Sequence, residues 1–521
     1  MKHVLMISAE NGALPEGKVG GIGDVVRDVP VALVARGCAV TVVTPAYGRF
    51  AELPGAKQIE SLEVSFAGAP QSFDLYEIPA RENGGAVRHV VVDHPLFGVC
   101  GAGQIYCDDP PGRPFATDAT KFALFCATAA ESIGKAVFGK VDVIHLHDWH
   151  AAMLLVLRAF DPRYRALQKI WCAYSIHNLA LQGVRPLMKD DSSLQAWYPE
   201  LSYERGRLVD PRWPDTVNPM AAAIRLADRV HAVSPSYAEE ILSASDVERR
   251  GYYGGEGLEA DLVAAREQGR LFGILNGCEY PKKKKTAAHG WKSLLTLMRA
   301  QLPLWISATQ TLRSTHYIAQ SCLDRLKHRR PGMLLTSIGR ITPQKIGLMR
   351  QSTSSGKPAL HGVLETLGEH GLLIMIGSGD PEVETFLTGV AARFDNFIFL
   401  RGYSEELAEA LYSLGDLFFM PSSYEPCGIS QMLALRAGQP CLVHYVGGLR
   451  DTVRDNETGF VFKGNNPAEQ ADNLVTAMQR ALTLFQEHPV KWKAMRKTAA
   501  AQRFEWADSV DAYLKHLYRR S

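Results

Sequence analysis

Short apolar runs rich in β-branched residues recur along this chain, each followed by a glycine-bearing loop and then a helical pattern. Residues 3–8 form the first run. Its loop leads into a helical pattern over 24–35, where Pro30 predicts a kink and Gly37 sits at the position of a C-terminal cap. Residues 39–44 form the second run. Strand, loop, helix, strand in this order opens a parallel α/β sheet. Further runs follow at 141–145, 170–176 and 229–233. A second series starts after Asn276, with runs at 333–338, 372–376, 397–400, 417–420 and 440–443. Two such series predict two doubly wound domains facing each other across a cleft, with ligands collected at the carboxyl ends of the strands.

At 521 residues the chain exceeds what a single core holds. Its 46% apolar and 21% charged residues are ordinary for a globular protein, and a net charge of +2 gives no field suited to nucleic acid or a membrane surface. No apolar run reaches the roughly 18 residues that span a bilayer, and residues 1–9 read as a buried strand, not a signal peptide. Nine scattered cysteines, Cys100 and Cys107 among them, fit a reducing compartment better than a disulfide framework. The expected location is the cytoplasm. The basic run 282–285 reads as a solvated face, and 502–521 as an amphipathic helix whose aromatic residues need a partner surface.

Each candidate site follows a run. Lys18-Val19-Gly20-Gly21-Ile22-Gly23-Asp24 combines a point charge, adjacent glycines that admit close backbone approach, and a helix start that favours anions. It is neither a dinucleotide fingerprint nor a Walker loop. Gly339-Arg340-Ile341-Thr342-Pro343-Gln344-Lys345 places a planar guanidinium and a compact ammonium around one turn, where both can close on a diphosphate. Pro421-Ser422-Ser423-Tyr424-Glu425-Pro426-Cys427-Gly428 sets a carboxylate at the mouth of a turn before a helix over 428–435, a pairing suited to sugar hydroxyls beside a phosphate. His145-Leu146-His147-Asp148-Trp149-His150 lacks the spacing of a helical zinc site, so a histidine lining a sugar pocket above Trp149 is the better reading. The segment 175–183 presents amides suited to hydroxyls.

Together, K-V-G-G-I-G-D, H-L-H-D-W-H, H-N-L-A-L-Q-G, I-L-N-G, G-R-I-T-P-Q-K, P-S-S-Y-E-P-C-G-I-S-Q and G-G-L-R-D-T-V resemble the ordered motifs of bacterial glycogen synthases and plant starch synthases. The resemblance runs from Lys2 to about Tyr518 and thins over 281–335. It implies the GT-B fold: a Rossmann-like domain over 1–272 on the glucan acceptor side, a second over 273–497 for the nucleotide sugar, and a helix over 498–521 that returns to the first. It implies transfer of glucose from ADP-glucose to the non-reducing end of an α-1,4-glucan, with retention and with no metal or other cofactor. Carried over by motif, Lys18, Gly20 and Gly21 meet the diphosphate or glucose, and Arg340 with Lys345 neutralises the departing ADP. Glu425 holds glucose hydroxyls beside Cys427 and Gly428, and His147 lines the reacting centre. Asp24 and Asn276 support the pocket, Asn178 and Gln182 offer amides, and Tyr106 stacks near the nucleotide.

The chain departs from the family pattern at Cys278-Glu279-Tyr280-Pro281, where an aspartate after a hydrophobic residue is usual, at Ile346 before Gly347, and at Leu181 in place of tyrosine. Leu433 stands where related GT-B enzymes often carry a second glutamate. Two other readings compete: a GT-B enzyme serving a small acceptor, and a glucan-binding pseudoenzyme. The presence of Lys18, Arg340, Lys345 and Glu425 argues against the second of these.

Overall fold

The computed structural model describes residues 1–79, 86–280, 290–309, 311–326 and 330–519. The basic run 282–285 lies outside the described residues. The chain divides into two compact units, each built around a parallel sheet. The first comprises Met1–Ser245, Gly254–Asn276 and Trp506–Ser521; the second comprises Asp246–Tyr253 and Gly277–Glu505.

In the first unit a nine-stranded sheet runs in the order Leu271–Gly273, Arg229–Ala232, Trp171–Ile176, Val143–His147, His3–Ile7, Ala39–Pro45, Val87–Asp93, Ala69–Ile78, Lys57–Phe66. The seven strands that begin with Leu271–Gly273 and end with Val87–Asp93 pair in parallel; the last two add antiparallel, as an edge. The central strand His3–Ile7 is apolar on both faces, as a strand covered by helices on each side must be. Chain order reverses beside it, because its two neighbours are Ala39–Pro45 and Val143–His147. Loops that leave the carboxyl ends of His3–Ile7 and Val143–His147 therefore diverge and open a crevice.

The second unit repeats this logic with six parallel strands in the order Phe397–Arg401, Gly371–Gly377, Met333–Ile338, Leu417–Met420, Cys441–His444, Gly459–Phe462. Here the reversal falls between Met333–Ile338 and Leu417–Met420. Apolar clusters cover both faces of this sheet: Phe397, Phe399 and Phe419 sit in one, Ile374, Leu400 and Phe418 in the other.

Several elements differ from the sequence reading. The helix expected over 24–35 is Gly21–Ala35, running on through Pro30. The strand expected at 141–145 is Val143–His147, so its histidines lie inside the sheet. The continuous helix expected over 502–521 is a short one, Trp506–Ala512, followed by a wider π-turn, Tyr513–Leu517. Residues 498–501 instead finish the helix Pro489–Ala501 of the second unit. Trp506, Val510, Tyr513, Leu517 and Tyr518 bury against Val25, Val26, Val29 and Leu33 in one cluster, each at about 1.5–3 kcal/mol of apolar transfer. Directed bonds fix the segment: Trp506 Nε1 donates to Asp28 at 3.0 Å, and Trp171 Nε1 donates to the Leu517 carbonyl at 2.7 Å.

The expectation of nine unpaired cysteines also gives way, since Cys100 and Cys107 form a disulfide across a seven-residue separation. The other seven cysteines are buried and form no disulfide. Left-handed glycines at Gly101 and Gly103 let the intervening loop turn back tightly enough to close it. Among the described residues no helix is long and apolar enough to cross a membrane.

Candidate functional site

Most candidate residues lie in loops at the reversal point of each sheet, whereas Asn178 and Gln182 follow Trp171–Ile176 and Asn276 follows the edge strand Leu271–Gly273. In the first unit the loop after His3–Ile7 folds around Glu10, a residue the sequence reading passed over. Its side chain is nearly fully buried. Oε2 accepts from the backbone N–H groups of Val19, Gly20 and Gly23 at 2.9, 2.7 and 3.3 Å, and Oε1 accepts from the Tyr106 hydroxyl at 2.8 Å. The Gly20 amide expected to meet a phosphate is thus held by a carboxylate, and Glu10 shapes the loop. Gly23 must lack a side chain, because a Cβ there would press on Lys18 and on Glu10 Oε2. Gly21, by contrast, opens its helix with nothing within 4 Å of where a Cβ would stand.

Lys18 extends from the same loop, and its ammonium sits 2.6 Å from Asp24, which Arg27 also approaches at 3.1 Å. Asp24 therefore holds Lys18 in place. Tyr106 spends its hydroxyl on Glu10 and lays its ring over His150, with centroids 5.4 Å apart. Burial pushes the Tyr106 hydroxyl well above its usual pKa. Removing Glu10 leaves three amides and a phenol without their acceptor. Bonds to a charged group contribute about 1.5–3 kcal/mol each, so Glu10→Ala is expected to raise the KM for the sugar donor at least tenfold and to lower Tm. Steady-state kinetics and a thermal melt on one preparation check this.

Across the reversal, Val143–His147 brings in a cluster of buried imidazoles. His147 Nδ1 lies 3.0 Å from His177 Nε2, and the His145 ring lies 4.4 Å from that of His147. The remaining ring nitrogen, His147 Nε2, is buried and has no partner among the described residues. Burial, reinforced by His145 and His231, holds His147 well below the ordinary histidine pKa, so the ring is neutral at pH 7. Asp148, in the left-handed region with φ 55°, accepts from the His177 N–H at 2.7 Å. Burial raises its pKa to about 8.

The amides of the 175–183 segment divide. The Asn178 side-chain oxygen accepts from the Ala180 N–H at 3.0 Å, forming a local turn. Gln182 Nε2 donates to the carbonyls of Leu179 and Glu256, and its oxygen accepts from Arg212 and Asn218. Its amide is saturated, so the sugar-hydroxyl role expected of Gln182 is replaced by bracing the loop. Gly183 is left-handed and lies flat on the Trp149 indole, which leaves no room for a Cβ. At the end of the unit, Asn276 presents a buried Oδ1 with no partner among the described residues.

In the second unit the two loops at the reversal are tied together. Met333–Ile338 leads through Gly339 and Arg340 to Thr342, whose hydroxyl caps the helix Pro343–Arg350. Leu417–Met420 leads into the Glu425 turn. Ser423 N donates to the Gln344 carbonyl at 2.8 Å, and Gln344 Nε2 donates to the Tyr424 carbonyl at 3.1 Å. The Lys345 ammonium pairs directly with Glu425 Oε2, and the Ser422 hydroxyl donates to the same oxygen at 3.0 Å. Glu425 and Lys345, expected to serve sugar and phosphate separately, are thus mutual partners in this structure. Arg340 is exposed and has no side-chain partner among the described residues.

The helix expected from 428 begins two residues later, as Ser430–Arg436, because Gly428 adopts φ 75° and turns the chain first. Cys427 is buried beneath it. The Gly448 N–H donates to the Glu425 carbonyl at 3.0 Å, and a Cβ on Gly448 would strike the Cys427 carbonyl. The G-G-L-R-D-T segment therefore clamps the turn that carries Glu425.

Residues 3–264 match the family model of the starch synthase catalytic domain, and residues 359–494 match that of the glycosyl transferases group 1. Glycogen synthase of Streptococcus pneumoniae strain CGSP14 is 30% identical over 535 residues, covering 98% of each chain; that of strain Hungary19A-6 is 29% identical over the same length. Among solved structures, the catalytic domain of starch synthase IV from Arabidopsis thaliana, bound to ADP and acarbose, superposes with a TM-score of 0.75. It is 26% identical, covering 99% of this chain and 98% of that one. Sucrose-phosphate synthase from Thermosynechococcus elongatus, at 18% identity, a TM-score of 0.54 and the same coverage, shares the fold. With two parallel α/β units, the ordered motifs and full-length matches of this kind, the chain belongs to the glycogen and starch synthase family of GT-B glycosyltransferases.

Proposed function

We propose that the protein transfers glucose from ADP-glucose to the non-reducing end of an α-1,4-glucan with retention of configuration, in the cytoplasm and with no metal or other cofactor. The observation that carries this reading is the tying of the loop that bears Arg340 and Lys345 to the turn that bears Glu425, at the reversal point of one sheet. That is where an α/β sheet takes a ligand, and the three groups suit a diphosphate beside a hexose. The ADP and acarbose held by the Arabidopsis starch synthase support an adenine nucleotide donor and a glucan acceptor.

The leaving diphosphate gathers negative charge as the anomeric bond breaks, so preorganised cations supply the main stabilisation. Arg340 and Lys345 take that role. Glu425 accepts hydrogen bonds from glucose hydroxyls, held in position by Ser422 and Lys345. The departing phosphate oxygen takes the proton of the acceptor hydroxyl, whose oxygen bonds to the anomeric carbon on the face the phosphate leaves. Front-face displacement of this kind retains configuration without a second carboxylate. Lys18 and the open Gly21 backbone serve the donor, and Asp24 positions Lys18. His147 Nε2 and Asn276 Oδ1 offer neutral groups to sugar hydroxyls; Asn178, Tyr106, Gly20, Cys427 and Gly428 shape the surrounding loops.

The test is incubation of the protein and glycogen with radiolabelled ADP-glucose or UDP-glucose, followed by counting of the precipitated polymer. Incorporation dominated by ADP-glucose is expected. Preference for UDP-glucose overturns the donor assignment, label confined to a small product overturns the acceptor assignment, and no turnover with either donor leaves a glucan-binding protein.

A further inference from the structure

We propose that the Cys100–Cys107 disulfide is a reversible thiol–disulfide exchange site that sets the placement of Tyr106 and, through Glu10, the order of the Lys18 loop. The inference rests on reading that loop as part of the substrate site.

These two sulfurs stand apart from the rest. Cys38, Cys126, Cys172, Cys278, Cys322, Cys427 and Cys441 are all buried, whereas Cys100 and Cys107 are only half-buried. A soluble thiol can therefore reach this pair and not the others. In a reducing compartment, disulfides that form are characteristically transient or redox-sensing.

The surroundings of Cys107 favour its release. The Lys121 ammonium lies 3.5 Å from Cys107 Sγ, held there by Asp118 at 2.6 Å and by the Ile105 carbonyl at 2.7 Å. A neighbouring cation stabilises a thiolate and makes it the better leaving group. The step balances with a dithiol as reductant. Its thiolate bonds to Cys100 Sγ as the Cys100–Cys107 bond breaks, and the electron pair leaves on Cys107 beside Lys121. The dithiol's second thiolate then attacks its own sulfur in the mixed disulfide, closing a ring and releasing Cys100. The two protons given up by the dithiol end on the cysteines or in solvent.

The link to the loop is a chain of direct contacts. Cys107 is bonded to Tyr106, whose hydroxyl donates to Glu10 Oε1, and Glu10 Oε2 collects the amides of Val19, Gly20 and Gly23. Beyond the Tyr106 hydroxyl on Glu10 and the Ile105 carbonyl on Lys121, the bonds described for the 101–107 segment are Gly101 to the Gly98 carbonyl, Gly103 to the Tyr47 carbonyl, Gln104 to the Gly101 carbonyl, and Cys107 N–H to Asp118. The two glycines give this segment wide freedom once it is uncrosslinked. Closing the short loop restricts it and preorganises Tyr106 for Glu10.

The experiment uses the full chain, held oxidised or treated with dithiothreitol, with thiols counted by alkylation and mass spectrometry. Amide hydrogen exchange over residues 10–24 and the KM for ADP-glucose are read on both forms. Reduction is expected to add two alkylated thiols at 100 and 107, to speed exchange over 10–24, and to raise the donor KM roughly tenfold, equivalent to about 1.4 kcal/mol. Cys100→Ser is expected to behave as the reduced form in both buffers, and Cys107→Ser to agree with it. Two new thiols with unchanged exchange over 10–24, or both cysteines already free without reductant, overturn the proposal. Faster exchange in a protein that turns over neither nucleotide sugar sustains the link and counts against the catalytic reading instead.

Discussion

Arg340→Ala is expected to lower kcat about 10²–10³-fold while Tm stays within a degree or two of wild type. Removing one preorganised charge-stabilising donor typically has an effect of that size, and two properties of this site make the result interpretable. Arg340 is exposed and has no side-chain partner among the described residues, so its loss strands nothing. Its neighbour in function differs. Lys345 is paired with the buried carboxylate of Glu425, and deleting it leaves that charge uncompensated. Lys345→Ala thus mixes a lost catalytic cation with a destabilised turn. Arg340→Lys is the informative companion: it restores charge without the planar fork and is expected to recover part of the rate. Steady-state kinetics over a range of ADP-glucose concentrations, beside a thermal melt, give the answer. Wild-type kcat in Arg340→Ala removes the guanidinium from the leaving-group role.

What the sequence made legible follows from burial. Strands covered on both faces read as continuous apolar runs, and Met333–Ile338 and Leu417–Met420 coincide with theirs to the residue. The antiparallel pair Lys57–Phe66 and Ala69–Ile78 went unread, because an edge hairpin largely open to solvent carries Lys57, Glu60, Glu63 and Asp74 without a sustained apolar alternation. For Val143–His147 the apolar signal begins two residues early, since histidines inside a sheet look like a loop until their partners are known.

The site divides the same way. Motif residues with charge at a strand's end, such as Arg340, Lys345 and Glu425, announced themselves locally. Glu10 did not, because its role arises only when residues 19–23 fold back over it. Gln182 misled for the converse reason: an amide in a polar turn looks available for a ligand until Arg212 and Asn218, some thirty residues on, saturate it. The Cys100–Cys107 pair was hidden by spacing that matches no standard motif.

The buried histidines lead to the second large effect, an acid limit on stability. In the first unit a chain of hydrogen bonds runs through the sheet with its direction fixed at one end. The Ile274 carbonyl can only accept, so His231 Nε2 donates to it at 3.0 Å, and neutral His231 Nδ1 must accept from the Ser175 hydroxyl at 2.8 Å. Ser175 Oγ then accepts from His145 Nε2 at 2.7 Å, and His145 Nδ1 accepts from the Tyr518 hydroxyl at 2.7 Å. Every ring in this chain is neutral, and protonating either one removes an acceptor the chain requires. Burial accordingly lowers His145 well below 6.5, and places His231 and His89 at about 4 and His150 at about 3. His147 is lowered as well.

For groups whose folded pKa is depressed below the unfolded value of 6.5, the unfolded chain takes up protons first as the pH falls. The stability they confer is complete above pH 6.5 and is lost progressively toward pH 4, at up to about 1.4 kcal/mol per histidine per pH unit. Asp148 opposes them. Its folded pKa of about 8 lies above the unfolded value, so acidification favours its folded form. Burial also raises Asp93 and Asp118 and also lowers His177 and His444, so the depressed histidines outnumber the raised carboxyls and leave a net loss of several kcal/mol between pH 7.5 and 5.5, comparable to the whole stability of a typical domain. Tm is expected to fall by about 10 °C or more over that interval, and Tyr518→Phe, which unties one end of the chain, is expected to lower Tm at pH 7.5 while keeping the acid slope. Melts at half-unit pH steps, at fixed ionic strength, measure both. A flat Tm from pH 7.5 to 5.5 would mean that these imidazoles titrate as they do in the unfolded chain, contrary to their burial.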